Sequence, residues 1–177
     1  MELEVERTHN PGDQRKEERL AALFDSCYPR LARYAYSRTS DRTEAEDIAS
    51  EVFARALESL DSYQERGLPM EAWLFRIAHN LVVDRLRRAG RFDRVEDPPD
   101  DLPDSPDPAH LAEENLMMAD VRAAMTNLTP QQRDVVSLRF FAGLDSREVA
   151  TVLHKRDGSV REMQRAALER LRALLTK

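Results

Sequence analysis

Length, composition and charge already restrict what this chain can be. With 177 residues it can form one ordinary domain or two small ones. Hydrophobic residues make up 41% and charged residues 34% of the chain, which excludes wholesale disorder. Five glycines and 6% aromatic residues favour helices over a β-sandwich. The single cysteine, Cys27, excludes an internal disulfide and a cysteine-rich zinc site, and its place on an apolar helix face predicts burial.

The N-terminal segment, residues 1–19, is acidic and polar, without the apolar run of a signal peptide. No segment of the sequence approaches the length of a transmembrane helix. We therefore predict a disordered leader over 1–19, a cytoplasmic location and no membrane insertion by the chain itself. The net charge of −6 argues only weakly against nucleic-acid binding, because charge is segregated along the chain.

Residues 20–89 are predicted to form a small domain of three helices. In the first helix, apolar residues recur every three or four positions: Leu20, Leu23, Phe24, Cys27, Leu31 and Tyr34. The second helix begins with Thr43 and Glu46 at the spacing of a capping box. The third, "MEAWLFRIAHNLVVDRLRR", is apolar over most of its circumference and ends in arginines.

Residues 90–113 hold five of the nine prolines and a run of aspartates, which predicts an extended acidic linker. Residues 114–177 again read as helices. Thr129, Pro130 and Gln132 predict a capped helix start, and Gly143 predicts a left-handed helix end. The predicted fold is all-α, with two small helical domains joined by an acidic Pro-rich linker.

The stretch "SREVATVLHKRDGSVREMQRAALERLR" predicts a short helix, a tight turn at His154 and a longer helix. The small Ala150 suits a close approach of the two helices. The predicted buried side of the last helix consists of Val160, Met163, Ala167, Leu168, Leu171 and Leu174. Arg161, Arg165 and Arg172 share another side. Residues 155–177 hold seven basic and three acidic residues, which favours a polyanion. A DNA-binding helix-turn-helix explains this pattern, and a plain helical hairpin with solvated arginines is the alternative.

Two charged faces occur in the first half. Glu44, Asp47, Glu51 and Glu58 fall within one arc of the second helix, and like charges four residues apart destabilise a helix slightly. The stripe therefore suggests a basic partner surface, although a solvated face would look the same. On the third helix Arg76, Asn80 and Arg87 share a face near Trp73, and Arg85 and Arg88 flank them. Cations beside an amide and an aromatic ring suit phosphates and unstacked bases.

Three motifs together, "AEDIASEVFARAL", "EAWLFRIAHNLVVDRLRR" and "LTPQQRDVVSLRFFAGLDSREVATVL" with the helix that follows, resemble the extracytoplasmic-function (ECF) sigma factors of the sigma-70 family. The resemblance runs from about Leu20 to Leu175 in the family's order, and it implies sigma region 2 over 20–89 and sigma region 4 over 114–177. It also implies core RNA polymerase and promoter DNA as partners, an anti-sigma factor as inhibitor, and no cofactor, metal or catalytic residue.

The resemblance distributes roles among the charged residues. It implies core-polymerase binding by Glu44, Asp47, Glu51 and Glu58. It implies contacts to the −10 element by Arg76, Asn80, Arg87 and Arg88, with a flipped base held beneath the loop over residues 61–70. It implies contacts to the −35 element by Lys155, Arg156, Ser159, Arg161, Glu162, Arg165 and Arg172.

Other classes of protein explain less of the sequence. A helix-turn-helix regulator that acts without polymerase accounts for the C-terminal half, but not for the acidic stripe or the basic third helix. A helical adaptor without a DNA role leaves the charge segregation unexplained. An enzyme is disfavoured because no nucleophile–base set, metal spacing or phosphate loop is found.

Overall fold

The computed structural model describes residues 11–65, 67–91 and 119–176, and within these ranges it is helical with no strand. The first half contains α1 (Pro11–Thr39), α2 (Arg42–Glu58), a 3₁₀ turn (Leu60–Ser62) and α3 (Met70–Arg88). In the second half, residues 119–125 form the described part of α4. There follow α5 (Pro130–Val136), its continuation as a π-helical turn (Ser137–Phe141), α6 (Ser146–Val152) and α7 (Asp157–Leu175). The all-α prediction is confirmed.

Helix α1 starts earlier than the sequence indicated. It begins at Pro11, so residues 11–19 of the predicted leader are helical and the prediction of disorder is wrong for them. Arg19 donates two hydrogen bonds of 2.8 Å to the Glu65 carboxylate, which ties this part of α1 to the loop after α2. Residues 1–10 and most of the predicted linker over 90–113 lie outside the described residues, and the predicted domain limits stay predictions.

The start of α2 also differs from the prediction. Asp41 is the N-cap, and its carboxylate accepts a hydrogen bond of 2.8 Å from the backbone N–H of Glu44. The predicted capping box of Thr43 and Glu46 is therefore wrong. Asp is at least as strong a cap as Thr. Because Asp41 precedes Thr43 in the chain, the helix starts two residues earlier than predicted. Glu46 instead accepts from Arg42 at 2.9 Å.

Three predicted local features of the second half are confirmed. Thr129 and Gln132 form a reciprocal capping box with Pro130 in the first turn. Gly143 has φ of +74°, the left-handed conformation that ends the π-helical turn. His154 has φ of +52° in the turn between α6 and α7, a conformation that histidine tolerates better than most residues.

One buried cluster joins the two halves of the chain. Apolar residues of α1, α2 and α3 pack with Val135, Leu138, Leu144, Val149 and Val160 of the second half. A smaller cluster around Met125, Leu128, Val136, Ala167 and Leu171 holds α4 and α5 against α7. The two predicted domains are therefore in direct contact in this structure, which helical periodicity alone does not reveal.

Two residues predicted to be buried, and one residue of the periodic apolar set of α1, are exposed. Cys27 and Ala150 are buried as predicted, whereas Phe24, Leu168 and Leu174 have exposed fractions of 46%, 38% and 39%. These residues lie at the edge of the apolar side of their helix, and the neighbouring helices cover only the centre of that side. The predictions of burial for Leu168 and Leu174 are therefore wrong.

The contact between the halves contains a buried ion pair. Arg38 of α1 lies 2.9 Å from Asp134 of α5, and their side chains are only 1% and 11% exposed. Nη2 of Arg38 and Oδ1 of Asp134 are at hydrogen-bond distance, but the geometry does not satisfy a hydrogen bond. The contact is therefore an ion pair only. Beside it, the Tyr34 hydroxyl and Nδ1 of His79 are 3.1 Å apart. Burial is the main reason that the pKa of His79 is lowered, because it disfavours the charged imidazolium.

We expect His79 to make the fold sensitive to mild acid. Asp134 favours its protonation, whereas Arg38, Arg87 and His154 oppose it, and burial decides the balance. A histidine whose pKa is depressed on folding contributes stability above its unfolded pKa of about 6.5, and this stability is lost as the pH falls below that value. Urea unfolding at pH 7.5, 6.5 and 5.5 should show this loss in the wild type and a smaller loss in His79→Gln. An equal pH dependence of the two proteins would contradict the prediction.

Candidate functional site

The acidic stripe of α2 is present, but its four carboxylates have different environments. Asp47 and Glu58 are exposed and form no ion pair within the described residues. Glu44 accepts from Arg91 at 2.8 Å. Glu51 contacts Arg55 at 2.6 Å and Arg85 at 2.7 Å, and the hydrogen bond from Arg85 is the main cause of its lowered pKa.

Two of the four predicted carboxylates are thus neutralised by arginines of the same chain. Glu44 and Glu51 hold α2 against α3 and the residues that follow it. Among the residues that the structure describes, Asp47 and Glu58 are the members of the stripe that are exposed and not paired with an arginine.

Exposed apolar side chains accompany these carboxylates. Their exposure was not predicted from the sequence. Leu57 is 59% exposed, and it follows Phe53 by four residues on the same side of α2. The rings of Phe24 and Phe53 lie 4.8 Å apart, and the Phe24 and Tyr28 rings lie 5.3 Å apart. An apolar patch beside unpaired carboxylates has the composition of a protein-binding surface. The position of Leu57, away from the buried centre of α2, is the feature of the sequence that could have indicated this exposed apolar surface.

A cleft lies between the loop that precedes α3 and α3 itself, where the flipped-base pocket was predicted. Its volume is about 410 Å³, and its lining includes Ser62, Tyr63, Gln64, Leu68, Trp73 and Arg76. The Tyr63 hydroxyl donates to the carbonyl of Leu68 at 2.9 Å, which closes the loop on itself. The rings of Tyr63 and Trp73 lie 4.8 Å apart, so the cleft offers aromatic surface beside a guanidinium group.

Arg76 is already engaged by the second half of the chain. Its Nη2 donates to the carbonyl of Thr151 in α6 at 3.0 Å, and Thr151 also lines the cleft. Helix α6 therefore covers one side of the surface that was predicted to contact DNA. Asn80, Arg87 and Arg88 are exposed. Asn80 lies in a groove with Arg55 and Glu58, so the predicted polymerase and −10 surfaces adjoin.

The helix-turn-helix has the predicted geometry. The backbone N–H of Lys155 donates to the carbonyl of Ala150 at 2.8 Å and fixes the turn. The predicted −35 residues are exposed except for the half-buried Lys155: Arg156, Ser159, Arg161, Glu162, Arg165 and Arg172. Arg161 pairs with Asp157 at 3.0 Å and Arg165 with Glu169 at 2.8 Å. Such exposed pairs are weak, so both arginines can exchange them for contacts to DNA.

Residues outside the predicted set support α7 from behind. Nε of Arg139, in the π-helical turn, donates to Gln164 at 2.9 Å, and its Nη1 donates to the carbonyl of Leu144. Arg139 thereby links the turn before α6 to the middle of α7. This orients the exposed basic face of α7 relative to α6.

Within residues 11–65, 67–91 and 119–176, no group of three or more histidine, cysteine, aspartate or glutamate side chains could hold a metal ion. None of the helices in these ranges combines the length and apolar character needed to cross a membrane.

Comparisons with known families and proteins agree with this geometry. Residues 23–92 match the family model Sigma-70 region 2, and residues 124–173 match Sigma-70, region 4. The chain is 35% identical over 157 residues to the ECF RNA polymerase sigma factor BldN of Streptomyces coelicolor, covering 86% of this chain and 59% of BldN. It is 31% identical over 160 residues to the ECF RNA polymerase sigma factor SigL of Mycobacterium tuberculosis, covering 88% of each. The chain thus spans less than two thirds of BldN but most of SigL.

Solved structures share the fold. The sigma factor RpoE from Bartonella quintana, crystallised with the anti-sigma factor NepR, matches with a TM-score of 0.66 and 24% identity over 90% of this chain and 96% of RpoE. CnrH, solved in complex with the cytosolic domain of CnrY, matches with a TM-score of 0.69 and 24% identity over 93% of this chain and 94% of CnrH. At this identity the likeness concerns the fold alone.

Proposed function

Because the chain belongs to the ECF sigma factors of the sigma-70 family, we propose that it binds core RNA polymerase, recognises the −35 and −10 promoter elements and promotes transcription initiation in the cytoplasm. The observation that carries the proposal is the segregation of charge along the chain: the surface of α2 is acidic and apolar, whereas the exposed surfaces of α3 and α7 are basic. The chain acts as a binding protein here, and the catalytic chemistry belongs to the polymerase.

The surface of α2 is the proposed contact with polymerase. Asp47 and Glu58 supply exposed charge for a basic partner, and Leu57 and Phe24 supply apolar area. Charge complementarity speeds and orients the encounter, while burial of the apolar side chains supplies affinity. Glu44 and Glu51 act indirectly, because they fix the position of α2 through Arg91 and Arg85.

The cleft beside α3 is the proposed site for the −10 element. An extruded base loses stacking worth a few kcal/mol, which aromatic surface in a pocket can offset. The partly exposed Trp73, whose ring packs against that of the buried Tyr63, provides that surface, and Arg76 lies at the edge of the cleft. The exposed Arg87 and Arg88, one to two turns further along α3, are placed for backbone phosphates.

The chain must open to bind both elements at once. Elements centred at −35 and −10 are about 25 base pairs apart, or about 85 Å at 3.4 Å per pair. A compact chain of 177 residues has a radius of gyration of about 16 Å. Helices α3 and α6 are in contact through Arg76 and Thr151, so the two surfaces are far closer than the promoter requires. The predicted linker, residues 90–113, has 24 residues and could span at most about 85 Å if fully extended, which matches the separation.

An anti-sigma factor is the proposed inhibitor of this opening. RpoE and CnrH were solved with such a partner or a cytosolic domain bound. A protein that covers α2 or holds α6 against α3 would block polymerase binding, −10 binding or both. The described residues contain no metal-binding cluster that would make the chain its own sensor.

The proposal is tested by binding to purified core polymerase at modest ionic strength, where charged interfaces are least screened. The full chain should co-elute with core polymerase in gel filtration. Excess unlabelled wild-type chain should displace labelled wild-type chain from the polymerase in proportion to its concentration. Failure to co-elute in the absence of an inhibitor would refute the assignment, because a sigma factor acts only through the polymerase.

Arg161→Ala and Arg165→Ala should each weaken use of the −35 element by about 1–3 kcal/mol if the side chain reads a base edge. The measurement is transcription by the holoenzyme from promoters with an intact or a scrambled −35 element. Arg170→Ala is the matched control, since Arg170 is an exposed arginine of α7 outside the predicted set. An equal effect of Arg161→Ala on both promoters would show that α7 does not read this element.

A further inference from the structure

A small cavity at the junction of the two halves is lined by four arginines. Arg38 comes from α1 and Arg91 follows α3, whereas Arg122 belongs to α4 and Arg133 to α5. The volume of the cavity is about 40 Å³. One water molecule needs at least about 10–15 Å³, so there is room for a few waters or one small oxyanion.

Two of these arginines are buried with donors left unsatisfied. The side chain of Arg38 is 1% exposed and Arg122 is 8% exposed. Within the described residues, Nε and Nη1 of Arg38 and Nε of Arg122 have no hydrogen-bond partner. A buried guanidinium donor without an acceptor is costly, so an acceptor at this place would stabilise the fold.

Acceptors within residues 11–65, 67–91 and 119–176 meet only part of this demand. Asp134 pairs with Arg38 through one Nη atom, and Glu44 accepts from Arg91. Arg122 lies over the ring of Tyr36 at 5.2 Å, which satisfies its charge in part but accepts none of its in-plane N–H groups. The hydroxyls of Thr39 and Thr126 donate to carbonyls of their own helices, so their protons are not available to a bound anion.

We propose that this cavity binds a phosphate group that bridges the two halves of the chain. A tetrahedral dianion accepts hydrogen bonds from several directions, as guanidinium groups on opposite walls require, and arginine forks match it well. A cavity of about 40 Å³ is too small for a DNA duplex, so the ligand is free phosphate or the phosphate of a small molecule. Because each half contributes two arginines, the bound group holds them together and opposes the opening described above. The site goes beyond the proposed function and does not require polymerase.

The test is titration of the full chain with inorganic phosphate at pH 8 and constant ionic strength, followed by calorimetry and by thermal unfolding. Wild type should bind phosphate and unfold at a higher temperature in its presence, whereas sodium chloride at equal ionic strength should have no such effect. Arg122→Gln should weaken phosphate binding by at least about tenfold, the value of one charge-assisted hydrogen bond. Arg33→Gln, which removes an exposed arginine of α1 outside the cavity, should bind like wild type.

Two further arms make the result specific. Arg122→Lys keeps the charge but loses the fork, so its affinity should lie between those of wild type and Arg122→Gln, and far-UV circular dichroism establishes that both variants fold. Adenosine 5′-monophosphate in place of phosphate identifies the source: tighter binding points to a nucleotide, and equal or weaker binding points to free phosphate. No phosphate-specific stabilisation of wild type, or wild-type affinity in Arg122→Gln, would overturn the proposal.

Discussion

Asp134→Ala is expected to lower the free energy of unfolding by about 3–5 kcal/mol, because it leaves the Arg38 charge buried without a counter-charge. The Arg38 side chain is 1% exposed and cannot reach solvent without moving α1 away from α5. The ion pair joins the two halves, so its loss should weaken their contact more than the packing within either half. Urea unfolding measures the change.

A double variant separates the buried charge from packing. Arg38→Met with Asp134→Leu removes both charges and fills the space, and it should recover most of the stability lost in Asp134→Ala. Glu169→Ala is the control for an exposed pair, since its contact with Arg165 is solvated and should cost less than about 1 kcal/mol. A loss below about 1 kcal/mol in Asp134→Ala would show that water reaches the pair and that the two halves are not closed on each other in solution.

Asp47→Arg is expected to weaken binding to core polymerase by about 3 kcal/mol, roughly a hundredfold, because it places a cation against the proposed basic partner. Asp47 is exposed and forms no ion pair within the described residues, so the change should leave the fold intact. Fluorescence anisotropy of the labelled chain with purified core polymerase measures the affinity.

The matched control for this variant is Glu18→Arg, a charge reversal at an exposed position of α1. It alters the net charge by the same amount, so any general effect of charge appears in both proteins. Asp47→Arg should also keep the affinity of the free chain for promoter DNA. Normal polymerase binding by Asp47→Arg would refute the assignment of α2 as the docking helix.

The local features of the fold follow from the sequence because local chemistry decides them. The capping box at Thr129, the left-handed Gly143 and the turn at His154 each depend on residues within a few positions of one another. The prediction for the start of α2 failed for a local reason too, since Asp41 and Thr43, two positions apart, are both good caps and the earlier one is used.

Contacts between distant segments could not be predicted in this way. Periodicity marked Phe24 as apolar, but whether a neighbour covers it depends on where α2 crosses α1. The pairs Arg38–Asp134 and Arg76–Thr151 join positions far apart in the chain, and nothing in the sequence around either partner indicates the other. The charge pattern identified the candidate binding residues, whereas the structure shows which of them, such as Glu51 and Arg76, are already engaged within the chain.

Run-off transcription with core polymerase tests the division into a polymerase-binding and a promoter-binding surface most directly. Wild type added to core should produce a transcript of defined length from a cognate promoter, and core alone should not. Asp47→Arg should lose the transcript through lost polymerase binding, while Arg161→Ala with Arg165→Ala should keep polymerase binding and lose the transcript through the −35 element. No wild-type transcript from any promoter of a genomic library, despite binding to core, would contradict the account.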